Sequence, residues 1–170
     1  TDPHLSHHFD ADDMAGKQKS RYAVLARMGV EPAEDGTLVI GIVSRMTAQK
    51  GFELLPDILP VILQREDVRL LVLGSGEERH EQYFQWLRDT FPGKVGCYIG
   101  YLEYLAHWIE AGSDFFIMPS MYEPCGLNQM YSLKYGTLPI VRATGGLDDT
   151  VIQYDEYGSS GGTGFKFWEA

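Results

Sequence analysis

Four loops of this sequence hold residue types that could do chemistry, three of them suited to binding phosphate. The first is Ser44-Arg45-Met46-Thr47-Ala48-Gln49-Lys50-Gly51. The fork of Arg45 can bind two phosphate oxygens, and Lys50 is a mobile point charge. The same pair would suit a solvated surface loop, where most Lys and Arg reside, and the two residues alone do not choose. The second loop is Gly74-Ser75-Gly76-Glu77. Its glycines permit a backbone cradle for phosphate, or they serve only the turn.

The third loop, Pro119-Ser-Met-Tyr-Glu-Pro-Cys-Gly-Leu-Asn-Gln129, is the most informative. Glu123 precedes Pro124, which biases it toward extended backbone. Cys125-Gly126-Leu127 is expected to open a helix whose unpaired N–H groups and positive dipole end suit a diphosphate. A carboxylate beside an anion site must serve something else, such as sugar hydroxyls; the plain alternative is an exposed acid beside an ordinary helix start. The fourth loop, Thr144-Gly145-Gly146-Leu147-Asp148-Asp149, offers close backbone approach and acids for a helix N-terminus. It serves a tight turn or a substrate-facing surface equally well.

Strands and helices must carry these loops. Leu38–Val43, Val68–Leu73, Phe115–Met118 and Leu138–Val141 are short β-branched or apolar runs, with Val95–Ile99 a weaker fifth and Gly164–Phe167 a sixth. Continuous apolarity suits strands buried on both faces of a parallel sheet. Between them lie helical patterns: Tyr22, Val24, Leu25, Met28; Phe52, Leu55, Leu59, Ile62, Leu63, interrupted by Pro56 and Pro60; Tyr83, Leu87, Phe91; and Tyr104, Leu105, Trp108, Ile109. The alternation predicts a doubly wound α/β fold with one parallel sheet of five or six strands. Ligands of such sheets bind outside the carboxyl ends of the strands, where all four loops fall. The stretch Tyr157–Gly164 is a loop by composition.

The 170 residues suit one domain, 44% apolar and 22% charged. A net charge of −10 argues against nucleic acid or an anionic membrane as partner, and places the burden of anion binding on local cations. No apolar run approaches the roughly 18 residues of a membrane span. Thr1-Asp2-Pro3-His4 lacks an initiator Met and a signal-peptide pattern, and reads as a chain entered in its middle. Cys97 and Cys125 are read as reduced thiols, hence a cytoplasmic protein. His4, His7, His8, His80 and His107 form no metal-ligand spacing, so no metal and no cofactor are expected.

Taken in order and spacing, these segments resemble the C-terminal domain of bacterial glycogen synthases and plant starch synthases. The matching runs are 44–51, Leu-Gly-Ser-Gly-Glu at 73–77, Gly-Tyr at 100–101, 118–129, Tyr-Gly-Thr-Leu-Pro-Ile-Val-Arg at 135–142 and Thr-Gly-Gly-Leu-Asp-Asp-Thr-Val at 144–151. The resemblance covers essentially the whole chain, residues 1–170. It implies a Rossmann-like domain, the C-terminal half of a two-domain GT-B glycosyltransferase. Such enzymes move glucose from ADP-glucose to the non-reducing end of an α-1,4-glucan with retention. Arg45 and Lys50 would then hold the diphosphate, with backbone groups near Cys125, Gly126, Leu127 and Asn128. Glu123 would orient the glucose ring and Tyr101 would stack on adenine. Gly74, Gly76, Thr144, Gly145 and Gly146 would complete the donor site. The N-terminal domain, with its donor loop and most acceptor contacts, would be missing, as would the C-terminal helix; the location would be cytoplasm, or plastid in a plant.

Two positions depart from neighbouring families. Where related retaining transferases carry a second Glu eight residues after the first, this chain has Tyr131, the synthase pattern. Asn128 stands where Thr is common. The alternatives are another nucleotide-sugar enzyme of the same architecture, such as a UDP-glucose-using GT-B transferase like sucrose-phosphate synthase or a UDP-sugar 2-epimerase, and a catalytically silent nucleotide-binding module.

Overall fold

The computed structural model describes residues 2–158 and 161–168. Ser159 and Ser160, in the loop expected at 157–164, lie outside the described residues. The elements run α1 (Ala15–Arg27), β1 (Leu38–Val43), two 3₁₀ turns (Ala48–Lys50 and Phe52–Leu54), α2 (Leu59–Arg65), β2 (Val68–Gly74), α3 (Glu78–Thr90), β3 (Val95–Ile99), α4 (Glu103–Gly112), β4 (Phe115–Met118), α5 (Asn128–Lys134), β5 (Leu138–Arg142), α6 (Gly145–Thr150) and β6 (Phe165–Phe167).

The six strands form one sheet in the order β3-β2-β1-β4-β5-β6, and every pairing is parallel. β1 and β2 are in register over their lengths, from Leu38 opposite Val68 to Val43 opposite Leu73. The period-2 alternation of these strands sorts their side chains between two cores. Ile40, Ile42, Leu70 and Val72 face Leu59 and Leu63 of α2 and Phe84 and Leu87 of α3. Val39, Leu71 and Leu73 face Val24 and Leu25 of α1 and Leu105 and Ile109 of α4. Burial on both faces explains the unbroken apolar runs: every residue of β2 is buried.

The helices differ from expectation in detail. Pro56 and Pro60 split the Phe52–Leu63 pattern into a 3₁₀ turn and a short helix, with Pro60 in its first turn, where its missing N–H costs nothing. Tyr22 is half exposed; the buried stripe of α1 is Gly16, Ser20, Val24 and Leu25. In α3 the stripe is His80, Phe84 and Leu87 rather than Tyr83, Leu87 and Phe91. Among the described residues, no helix is long and apolar enough to cross a membrane. Cys97 and Cys125 are both free thiols; burial pushes the Cys97 thiol up to about 11.

Candidate functional site

The strand order reverses between β1 and β4, which leave the sheet in opposite directions of winding and open a crevice at their carboxyl ends. A cavity of about 370 Å³ occupies it. The ends of β1, β2 and β4 form its floor through Val43, Leu73, Ile117 and Met118. Its walls are the loops singled out from sequence: Arg45 and Lys50 after β1, Gly74 after β2, Tyr101 after β3, and Glu123, Gly126, Leu127 and Asn128 after β4. Ser44, Ser75, Gly100 and Ser120 also line it; they lie inside the runs read from the sequence but carry no charge or aromatic ring that marks them out there.

The loops after β1 and β4 are stitched to each other. Met121 N–H donates to Gln49 O at 2.9 Å, and Gln49 Nε2 donates to Tyr122 O at 3.3 Å. Gly51 makes that approach possible: its φ is +72°, and a Cβ there would stand 2.0 Å from Pro119 O, where no side chain fits. The result is that Lys50 Nζ donates to Glu123 Oε2 at 2.5 Å, with both side chains about one-sixth exposed. Ser120 Oγ donates to the same oxygen at 3.2 Å. Both contacts fall on Oε2. Arg45 is exposed and has no carboxylate partner among the described residues, so its guanidinium donors remain available at the rim. Tyr101 is 69% exposed there.

The Gly74-Ser75-Gly76-Glu77 turn has a second task. Met46 N–H donates to Ser75 O at 2.8 Å, and Glu77 N–H to Met46 O at 2.7 Å. A Cβ on Gly74 would meet Ser44 O at 1.9 Å, and one on Gly76 would meet Met46 O at 2.3 Å. The Gly76 N–H is occupied by Glu81 Oε1 at 2.8 Å, and Gly76 does not line the cavity. Glu77 accepts from the Ala48 N–H at 2.8 Å. That bond first, then Arg79, holds its carboxyl below the usual carboxylate range. The turn thus braces the segment that carries Arg45 and Lys50.

A parallel arrangement supports Glu123. Gly146 N–H donates to Glu123 O at 3.0 Å. A Cβ on Gly145 would stand 2.3 Å from Glu123 O, and one on Gly146 1.9 Å from Cys125 O. Thr144 Oγ1 reaches Met121 O at 3.4 Å. Thr144, Gly145, Gly146 and Cys125 do not line the cavity; they support the loop that does. Gln129, fully buried, donates through Nε2 to Gly126 O at 2.8 Å and to Thr150 Oγ1 at 3.0 Å, tying the loop to α6. The helix expected to open at Cys125 begins at Asn128, because Gly126 takes a left-handed φ of +63° first. Away from the cavity, the fold does bring histidines to an acid, His4 and His107 with Glu103, which their separation in sequence concealed.

A charged pair, a free guanidinium and an exposed aromatic ring around a strand-end crevice suit a nucleoside diphosphate bearing a polar group. Residues 27–165 match the family model of glycosyl transferases group 1. The chain is 50% identical over 168 residues to glycogen synthase 1 of Geobacter sulfurreducens, covering 99% of this chain and 33% of that protein. It is 46% identical over 167 residues to the glycogen synthase of Bacillus cereus strain Q1, covering 98% and 34%. The chain thus spans about a third of the length of these relatives. Among solved structures, the catalytic domain of starch synthase IV from Arabidopsis thaliana, bound to ADP and acarbose, superposes with a TM-score of 0.87 at 35% identity over 99% of this chain and 35% of that one. Anabaena HepE in complex with UDP-glucose shares the fold, with a TM-score of 0.65 at 17% identity over 94% of this chain and 42% of that one.

Proposed function

The chain belongs to the group 1 glycosyltransferases, and from that premise we propose that it is the donor-binding domain of a glycogen or starch synthase. The whole enzyme would transfer glucose from ADP-glucose to the non-reducing end of an α-1,4-glucan with retention, in the cytoplasm or, in a plant, a plastid. A second domain facing the strand-end crevice would supply the acceptor contacts. The observation that carries this reading is the gathering of Arg45, Lys50 and Glu123 on one cavity in a chain 46–50% identical to glycogen synthases along nearly its whole length.

The roles follow from charge. Breaking the bond from the anomeric carbon to the diphosphate leaves positive charge on the sugar and negative charge on the nucleotide. Arg45 and Lys50 would bind the diphosphate and stabilise the growing negative charge, a preorganised effect worth several kcal/mol. Glu123 would accept hydroxyls of the glucose through Oε1, the oxygen not used by Lys50 and Ser120. Tyr101 would stack on the base. Cys125 and Thr144 to Gly146 would act as support, with Gly126, Leu127 and Asn128 at the phosphate side.

Calorimetry of the chain with ADP, ADP-glucose, UDP and UDP-glucose tests the reading. Binding of ADP in preference to UDP is expected. Binding of UDP alone moves the donor to the uridine class, and binding of neither removes the donor-site reading.

A further inference from the structure

We propose that His4, Glu103 and His107 form a site for a divalent transition-metal ion of the zinc class, which fastens the N-terminal segment to α4. Each residue offers one ligand atom, and the three atoms lie within 4.8 Å of one another. His4 Nε2 is 4.0 Å from Glu103 Oε1, and the two imidazole rings stand 4.5 Å apart. Two imidazoles and a carboxylate are a donor set that zinc accepts with water in the fourth position.

The surroundings prepare the site before any ion arrives. Asp2 Oδ2 accepts from His107 Nδ1 at 2.7 Å and from the Tyr135 hydroxyl. A neutral His107 that donates from Nδ1 to this carboxylate keeps its lone pair on Nε2. A carboxylate on the second ring nitrogen is the usual companion of a metal-bound histidine, orienting the ring and raising its basicity. His4 is held by its backbone: its N–H donates to Asp2 Oδ1 at 2.8 Å, and its carbonyl accepts from Trp108 Nε1 at 2.7 Å. Both histidines are about one-third exposed and Glu103 two-thirds, so solvent reaches the site. Bonds of about 2.0–2.2 Å require the three atoms to draw together slightly, and the exposed Glu103 side chain is free to rotate inward. Residues His4, Glu103 and His107 are all separate from the crevice described above.

The chain, prepared without a histidine tag and treated with chelator, is titrated with zinc chloride in a calorimeter, and its melting midpoint is recorded with and without zinc. One ion per chain and a raised midpoint are expected. His4→Ala and Glu103→Gln should abolish or strongly weaken binding while leaving the midpoint in chelator near wild type. Asp2→Asn should weaken it about 10- to 100-fold, the usual loss when such a companion carboxylate is removed. A double His7→Ala, His8→Ala variant should bind as wild type. No stoichiometric binding, or binding that survives His4→Ala and is lost in the His7, His8 double variant, overturns the proposal. Because ADP binding is measured separately, failure here leaves the donor-site reading untouched.

Discussion

Lys50 Nζ and Glu123 Oε2 stand 2.5 Å apart across the crevice, on loops that leave β1 and β4 in the two halves of the sheet. Each is largely shielded from water, so each keeps the other's charge compensated at a position where an anion and a sugar are proposed to bind. The pair gives the two residues opposite signatures. Lys50→Ala removes a cation from the phosphate side and leaves Glu123 facing it; Glu123→Ala releases Lys50. Calorimetry with ADP should show Lys50→Ala and Arg45→Ala weakened about 10- to 100-fold, the worth of a charge-assisted hydrogen bond of about 1.5–3 kcal/mol. Glu123→Ala should keep or gain ADP affinity. Equal loss in all three variants would make Glu123 a structural part of the nucleotide pocket and remove its sugar-orienting role.

A second expectation concerns two glycines that let backbone segments meet, Gly74 on the cavity wall and Gly146 away from it. A methyl group on Gly146 would collide with Cys125 O at 1.9 Å, and one on Gly74 with Ser44 O at 1.9 Å. Both obstructions are backbone, which cannot rotate away. Gly146→Ala and Gly74→Ala should each destabilise by about 1–3 kcal/mol, the range for over-packed sites. Each should also loosen ADP binding by displacing the loop in front of it. Thermal melts and calorimetry on the two variants check this; wild-type melting in both would mean that the loops tolerate the shift.

These braces mark where sequence reading stopped. The strand runs were legible because burial on both faces forces continuous apolarity, and the crevice followed because strand alternation puts it at the carboxyl edge. Helix stripes were less legible: Tyr22 is large and apolar, but its amphipathic ring tolerates half exposure, while Tyr83 only flanks the core that His80, Phe84 and Leu87 enter. Glycines advertise close approach without naming what approaches. Gly76, Gly145 and Gly146 fit a ligand-facing backbone equally well, yet in the fold they receive the carbonyls of Met46, Glu123 and Cys125. Glu77 and Gln129 sat inside the quoted motifs, but their partners, Ala48 N–H and Gly126 O, depend on loop conformations that composition does not encode. His4 and His107 meet only through a contact across 103 residues.

Acidity supplies a further test. Burial in α4, reinforced by the charge of Asp2, raises the Glu110 carboxyl from its ordinary 4.5 to about 8. An acid raised by folding keeps its proton in the native state while the unfolded chain gives it up. Stability should therefore be undiminished below about pH 4.5, fall progressively between about 4.5 and 8, and level off above that. At about 1.4 kcal/mol per pH unit, this amounts to a few kcal/mol. Glu110→Gln is nearly isosteric and cannot ionise, so it should be more stable than wild type at pH 8 and lack this decline. Urea melts of both proteins from pH 5 to 8 measure it; parallel curves would mean that Glu110 is ionised in the fold.

Stacking on the base predicts a selective loss at Tyr101. The ring is 69% exposed at the rim and follows Gly100, whose N–H is fixed to Gly74 O at 2.9 Å. Removing an aromatic platform from a base costs about 1–3 kcal/mol, so Tyr101→Ala should weaken ADP binding about 5- to 150-fold with an unchanged melting midpoint. Tyr101→Phe should bind as wild type. Affinity for inorganic pyrophosphate, which has no base, should be the same in all three proteins; a parallel loss of pyrophosphate would place Tyr101 with the phosphates.

The last prediction separates donor binding from transfer. The cavity is built from one sheet edge, its rim residues Arg45 and Tyr101 are exposed, and the chain spans about a third of its curated relatives. Transfer requires the anomeric carbon and a glucan hydroxyl to be held together with water excluded. Holding two reactants in place can supply about 7–11 kcal/mol of barrier reduction, and in the proposed enzyme a facing domain contributes that clamp. The 170-residue chain should therefore bind ADP yet leave labelled ADP-glucose and glycogen unreacted. Exchanging this chain for the matching third of the Geobacter sulfurreducens relative should give a chimera that incorporates glucose. Arg45→Ala in that chimera should lower kcat/KM by roughly 10²–10³, the loss typical of one preorganised charge-stabilising donor. Incorporation at enzyme-like rates by the chain alone would refute the need for a facing domain. A chimera that binds ADP but never transfers would refute the synthase reading, while leaving a nucleotide-binding module in its place.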